Sequence, residues 1–300
     1  MKKTGKTAAK EGHAPSPSLS PERPALAILQ ALYLGIQHQN AGDLAQAEAV
    51  FQQVLQADPR QPVALHLLGV MAYRAAEYEK AVDFITKALT VEPGNAEAHS
   101  NLGAALQGLG KTQQAVASFQ KALAIEPDNV EALCNLGAAF QALGKTQQAV
   151  ASCRKALAIK PGDAGAHNNL GLALQDLGQL DEAVAGYNEA LAIKPDYVDA
   201  GRNLLYALPN VPGLSPKELF AEHLRFAENH AQGIARPAED LTNDPAPDRR
   251  LRIGYLSSDF HNHPVGSNVL PLLSCHDREK FEVFCYAYVS RPDAMTERFQ

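Results

Sequence analysis

The sequence has no tryptophan, and only 6% of its residues are aromatic. Large rings are therefore few, and small side chains must do much of the packing. Cysteine is scarce as well. Cys134, Cys153, Cys275 and Cys285 are scattered, without the spacing of a disulfide framework or a zinc site. Cys134 and Cys153 fall inside a helical pattern, where a free thiol acts as a small buried apolar group. Positive charge is not in excess: the net charge is −6 and the pI about 5.9. That balance argues against general binding to nucleic acid or acidic membranes. No apolar run is long enough to span a bilayer. Lys2, Lys3, Lys6 and Lys10 are not followed by the apolar segment of a secretory signal. A reducing cytoplasm is the expected location.

What the chain does have is alanine and repetition. Gln107-Gly108-Leu109-Gly110-Lys111-Thr112-Gln113-Gln114-Ala115-Val116-Ala117-Ser118 returns 34 residues later as Gln141-Ala142-Leu143-Gly144-Lys145-Thr146-Gln147-Gln148-Ala149-Val150-Ala151-Ser152. The same step runs through Pro59, Pro93, Pro127, Pro161 and Pro195, and through Gly35, Gly69, Gly103, Gly137 and Gly171. A fixed period of this size marks a stacked repeat protein. Within residues 96–129, His99, Leu102, Gly103 and Leu106, then Ala115, Phe119, Ala122 and Leu123, trace two helical stripes. Gly110 and Lys111 read as the turn between them. Pro127 stops the second helix by removing a donor and clashing with the preceding turn. Asn95, Asn129 and Asp163 stand where a side chain caps the next helix.

This pattern resembles the tetratricopeptide repeat family. Leu102-Gly103, Ala115, Phe119, Ala122 and Pro127 fulfil it; so do Leu68-Gly69, Ala81, Ile85, Ala88 and Pro93, and Leu170-Gly171, Ala183, Tyr187, Ala190 and Pro195. The fourth unit departs with Cys153 in the aromatic slot, and the first has Val54 for its second alanine. Glycine and alanine at the crossing let two helices approach closely, with the aromatic expected to fill the gap to the next unit. Five full units are expected over residues 28–197, then a lone first helix over 198–208. In that helix Leu205 replaces the glycine, which suits an end cap with no partner helix.

Asn101, Asn135, Asn169 and Asn203 lie on the same grid and form a line along the stack. The resemblance implies that this face is the concave groove, where regularly spaced amides hold the backbone of an extended protein or peptide. The alternative is that they only cap local structure or face water. Gln107, Gln141 and Gln175 add amides nearby. Tyr33 and Leu67 take the ladder position in the first two units. A groove gripping carboxylates would need cations, and Arg202 is nearly the sole candidate.

Outside the array, residues 1–24 are rich in Lys, Ser and Pro and are expected to be disordered. Ser215-Pro216-Lys217-Glu218 starts a helix running to about Gln232, with serine as cap and glutamate completing a capping box. Its Glu222, His223, Glu228 and His230 lack the spacing of a metal site. Residues 235–248 read as linker. From Leu251 the character changes to a buried strand over 251–256, a polar loop over 257–263, a short helix over 265–275 interrupted at Pro271, a strand over 281–288 and the start of another helix. This order opens a parallel α/β sheet, whose sites lie at the carboxyl ends of strands.

Leu251-Arg252-Ile253-Gly254-Tyr255-Leu256-Ser257-Ser258-Asp259-Phe260-His261-Asn262-His263-Pro264, with Phe281-Glu282-Val283-Phe284-Cys285-Tyr286-Ala287, is similar to the opening of the catalytic region of the protein O-GlcNAc transferases. That resemblance implies a GT-B, Rossmann-like catalytic domain that moves N-acetylglucosamine from UDP-GlcNAc, or a sugar from another nucleotide sugar, onto Ser or Thr of proteins held by the array. It implies no metal and no cofactor. In that family the position of His263 lines the catalytic pocket, either as general base or by holding the loop or touching the donor sugar. The family's nucleotide-binding half has no counterpart within these 300 residues, so the chain is expected to be part of a longer product and to transfer no sugar alone. The expected organisation is mainly α: a tail over 1–24, a tetratricopeptide solenoid over 25–209, a linker with one helix over 210–248, and the first part of the α/β catalytic domain over 249–300. A non-enzymatic tetratricopeptide scaffold for protein–protein interaction is the alternative.

Overall fold

The computed structural model describes residues 22–230, 246, 249–289 and 292–299. The chain divides into two units, Met1–Gln232 and Gly233–Gln300. Most of the expected tail, and most of the linker at 235–248, lie outside the described residues. The first helix begins at Glu22, inside the stretch expected to be disordered.

The first unit is a stack of antiparallel helix pairs: α1 (Glu22–Ala41) with α2 (Leu44–Ala57), α3 (Pro62–Arg74) with α4 (Tyr78–Val91), α5 (Ala96–Gly108) with α6 (Thr112–Ile125), α7 (Val130–Ala142) with α8 (Thr146–Ile159), and α9 (Ala164–Asp176) with α10 (Leu180–Ile193). Odd-numbered members are here called A helices and even-numbered ones B helices. Each A helix from α3 to α9 starts on a side-chain cap. Gln61 accepts from Val63 and Ala64 N–H, and Asn95, Asn129 and Asp163 accept from Ala98, Ala132 and Ala166 N–H at 2.9, 2.9 and 3.0 Å. Lys160 and the helix N–H of Ala166 hold the Asp163 carboxyl below its ordinary pKa, against the opposing effect of its partial burial. Each A helix ends in a left-handed residue whose turn returns N–H groups to the last carbonyls. Gly110 N–H donates to Gln107 O and Lys111 N–H to Leu106 O, both at 2.9 Å. Gly42, Gly144 and Gly178 hold the same place with positive φ, but in the second repeat it falls to Ala76 at φ 58°.

The glycine on each A helix faces the aromatic slot of its own B helix. A Cβ on Gly103 would stand 2.5 Å from Phe119 Cε1, one on Gly171 2.6 Å from Tyr187 Cε1, and one on Gly137 2.7 Å from Cys153 Sγ. Gly35 and Gly69 meet Phe51 and Ile85 in the same way. The aromatic therefore closes the crossing inside its own repeat, besides adding to the core shared along the stack. Phe51, Phe119 and Tyr187 are fully buried, as are the alanines at Ala47, Ala81, Ala115, Ala149 and Ala183. Burial pushes the Cys153 thiol up to about 12, so it stays a packing group rather than a nucleophile.

The stack closes on α11 (Val198–Ala207), a single 3₁₀ turn (Leu208–Asn210) and α12 (Pro216–His230). The capping box at Ser215 forms as expected: its N–H and Oγ donate to Glu218 Oε2, and Oγ accepts from Glu218 N–H. The helix α11 is not without a partner. Leu214 and Leu219 join the core, and Phe226 and Arg225 lie over Leu191, Leu204 and Leu205. Contact between α11 and α12 is nonetheless much shorter than within a repeat. Leu205 stands where glycine would admit a close crossing, so α12 covers the end without completing a sixth pair.

The second unit contains strand β1 (Leu251–Ser257), α13 (Pro264–Ser274), β2 (Phe281–Ala287) and the single turn α14 (Ala294–Glu297). The strands are parallel, Leu251 paired with Phe281 and Ser257 with Ala287. Helix α13 is their crossover, and it runs through Pro271 without the expected interruption. Among the described residues no helix is long and apolar enough to cross a membrane.

Candidate functional site

Asn101, Asn135, Asn169 and Asn203 stand half-buried on α5, α7, α9 and α11. Three of them reach back to the A helix of the preceding repeat, always 35 residues earlier. Asn101 Nδ2 meets His66 Nε2 at 2.9 Å, Asn169 Nδ2 donates to Cys134 O at 3.4 Å, and Asn203 Nδ2 donates to Asn168 Oδ1 at 3.0 Å. The corresponding partner of Asn135 is Ser100, buried with an unpartnered Oγ. The ladder thus has a structural task, tying one A helix to the next. It also keeps spare capacity: the second amide hydrogen and the side-chain carbonyl of Asn101, Asn169 and Asn203 take no partner among the described residues. His66 accepts from Asn101 as a neutral ring, and desolvation lowers its pKa below 6.5.

The nearby glutamines are less available. Gln141 donates to Asp176, and Gln175 accepts from the buried Tyr187 hydroxyl at 2.8 Å. Arg202 is paired with Asp199 at 2.8 Å. On α12, His223 bonds Leu219 O and Glu222 pairs with Arg225. Among the described residues no group of three His, Cys, Asp or Glu side chains is placed to hold a metal ion.

In the second unit, the loop after β1 lies at the carboxyl end of the sheet. It is pinned at several points. Ser257 Oγ accepts from Asp259 N–H at 3.0 Å. Phe260 is buried and stacks on Phe299, centroids 4.5 Å apart. Asn262 N–H donates to Asp293 Oδ2 at 2.7 Å, and that carboxylate also caps α14 through Met295 and Thr296 N–H. These N–H groups, Asn262's first, hold the Asp293 carboxyl below its ordinary pKa. Gly266 completes the fit, because a Cβ there would collide with His261 O and stand 2.9 Å from Asp259 O.

His263 is the N-cap of α13. Its Nδ1 accepts from Val265 N–H at 3.2 Å, its side chain is 42% exposed, and Asp259 Oδ2 lies 4.0 Å away. The His261 ring is tilted against it at 5.6 Å. An Nδ1 that accepts puts the proton of the neutral ring on Nε2, so this tautomer presents a donor to the outside. The roles of Asp293, Gly266 and the Phe260–Phe299 stack are not apparent from the sequence. Only Asp293 had a readable signal, the cap spacing to Thr296.

Residues 202–299 match the family model described as Glycosyl transferase family 41, and tetratricopeptide models match 40–106, 108–144, 130–163 and 164–197. The architecture is a tetratricopeptide array followed by a segment that matches the opening of family 41 glycosyltransferases. The family 41 match begins inside α11 and so takes in α12 as well as the sheet. A probable UDP-N-acetylglucosamine–peptide N-acetylglucosaminyltransferase of Arabidopsis thaliana, SEC, is 56% identical over 39 residues, which is 13% of this chain and 4% of that protein. The Arabidopsis thaliana protein SPINDLY, described in the same terms, is 36% identical over 92 residues, covering 29% of this chain and 9% of its own. A point mutant of the Thermobaculum terrenum O-GlcNAc transferase superposes with TM-score 0.52 at 35% identity, over 68% of this chain and 39% of that one. The chain therefore spans well under half the length of these relatives.

Proposed function

We propose that the chain is the acceptor-holding array and the opening of the catalytic region of a protein O-glycosyltransferase of the O-GlcNAc transferase type. It would hold a polypeptide along the A helices while a sugar, N-acetylglucosamine from UDP-GlcNAc, passes to a Ser or Thr hydroxyl. The observation that carries this reading is the family 41 match over residues 202–299 directly behind the repeats. The SEC, SPINDLY and Thermobaculum terrenum names support it.

In this reading Asn101, Asn135, Asn169 and Asn203 use their remaining donor and acceptor groups on the acceptor backbone. Such contacts suit many sequences, because every residue offers the same N–H and C=O. His263 serves as a donor from Nε2 to an oxygen of the bound nucleotide sugar. A general base needs a free lone pair facing the hydroxyl, and the capping tautomer occupies that nitrogen with the proton. No metal takes part, and the acting compartment is the cytoplasm.

The test is transfer of radiolabelled N-acetylglucosamine to protein by this 300-residue chain and by the chain extended through the reading frame that follows it. Transfer by the extended form alone is the expected result. A GT-B enzyme holds its donor between two domains, and the described sheet of the second unit has two strands. An extended form with no transfer from any nucleotide sugar would favour the scaffold reading.

A further inference from the structure

The A helices carry one stripe at spacing i, i+4, i+7, and its chemistry changes along the stack. In the third and fourth repeats it reads Glu97, Asn101, Ala104 and Glu131, Asn135, Ala138. In the first two repeats the same register reads Leu29, Tyr33, Ile36 and Val63, Leu67, Val70. Leu29 and Tyr33 are 62% and 65% exposed, and Val63 is 38% exposed. An uncovered first helix does not account for this. Val63, Leu67 and Val70 lie on α3, which the first repeat already covers; Ile36 and Leu67 lean in part on the core of these repeats, while Leu29, Tyr33 and Val63 are the exposed part of the stripe. The change falls where neutral His66 meets Asn101.

Resting on the groove reading above, we infer that the first two repeats form an apolar subsite, and that the polypeptide taken by the groove carries aliphatic or aromatic residues at one end followed by basic residues. The apolar stripe shares helix faces and register with the amide ladder, so one extended chain can cross both. Glu97 and Glu131 sit beside the ladder and form no ion pair among the described residues, which suits Lys or Arg on the ligand. A second copy of this chain is a poorer occupant, because it would bring the same carboxylates against them. The chain's own residues 1–21 are poorer still, with Met1 and Leu19 as their large apolar side chains. Adjacent packed helices lie about 10 Å apart and an extended chain advances about 3.3 Å per residue. The apolar residues should therefore recur about three positions apart, with the basic ones at similar intervals beyond.

The experiment is fluorescence anisotropy on the full 300-residue chain. One labelled peptide is an unstructured Ser/Thr/Gly sequence with a Leu-x-x-Phe pair and then two lysines; the other has the pair replaced by serines. The unmutated chain should bind the first about tenfold tighter or more. Tyr33→Asn with Leu67→Asn, which installs the residue that the three later repeats and α11 already carry, should erase that preference and leave the serine peptide unaffected. Asn135→Ala with Asn169→Ala should weaken both peptides and keep the preference. Equal binding of the two peptides, a preference that survives Tyr33→Asn/Leu67→Asn, or no binding at millimolar concentration would overturn the inference. So would a dimer in sedimentation that the same double substitution dissolves. If the Asn135/Asn169 variant binds both peptides normally while the preference still depends on Tyr33 and Leu67, the ladder reading falls and the apolar subsite stands.

Discussion

In the array, Gly103 leaves room for Phe119, and the same arrangement recurs at Gly35, Gly69, Gly137 and Gly171. In the C-terminal unit, Gly266 leaves room for the carbonyls of His261 and Asp259, and it does so once. The physical device is the same: a missing Cβ lets a backbone or ring approach closer than any other residue would allow. Repetition turns the first case into a pattern that can be read without coordinates. The second carries no such signal, although it shapes the loop that holds His263. A repeat array thus announces its packing, whereas a singly occurring loop announces only the residues that match a known motif.

That contrast can be pressed by substitution. The largest effect is expected from Gly103→Leu, which forces the α5–α6 crossing apart and should cost roughly 1–3 kcal/mol by urea unfolding. Gly94→Ala, in open space, is the control and should leave the midpoint in place. In the C-terminal unit, His263→Ala removes the cap of α13 and should cost about 1 kcal/mol, while His263→Asn keeps an accepting oxygen and should cost a few tenths. Equal losses would mean that the cap contributes nothing. Ala76→Gly relieves the one non-glycine residue in the left-handed turn position and should gain about 0.5 kcal/mol, seen as a higher Tm. The smallest effect concerns pH. The pKa of His66 is lowered on folding by desolvation, so its contribution is present above the unfolded value of 6.5 and is lost as pH falls through the folded one. Stability of the array should decline on acidification below about pH 6.5, and His66→Leu should remove that part of the decline.

The helix pairs and turns of residues 28–197 are legible because each is stated five times in register, and Asn95, Asn129 and Asp163 cap where the spacing says. The closure by α12 is not, because nothing in Leu205 alone tells whether a partner helix is absent or merely held off. The strands and the crossover are legible from apolar runs and flanking turns, but the burial expected of residues 251–256 is not found: none of them is buried in the described second unit. Pro271 misleads, since a proline near a helix end need not break it. The ladder asparagines are visible as a line, but their bonds to the preceding repeat are not: a 35-residue reach depends on how far consecutive A helices are offset, which only the stack defines. The tautomer of His263 likewise follows from one N–H, that of Val265, which the motif cannot reveal.

The most direct test of the account is photo-crosslinking of an unstructured Ser/Thr-containing polypeptide to the full chain, with benzoylphenylalanine placed once at Asn135 on α7 and once at exposed Gln120 on α6. The account predicts crosslinks from position 135 that unlabelled polypeptide competes away, and background labelling from 120. Equal labelling from both positions, or labelling from 120 alone, would contradict an acceptor lying along the asparagine line.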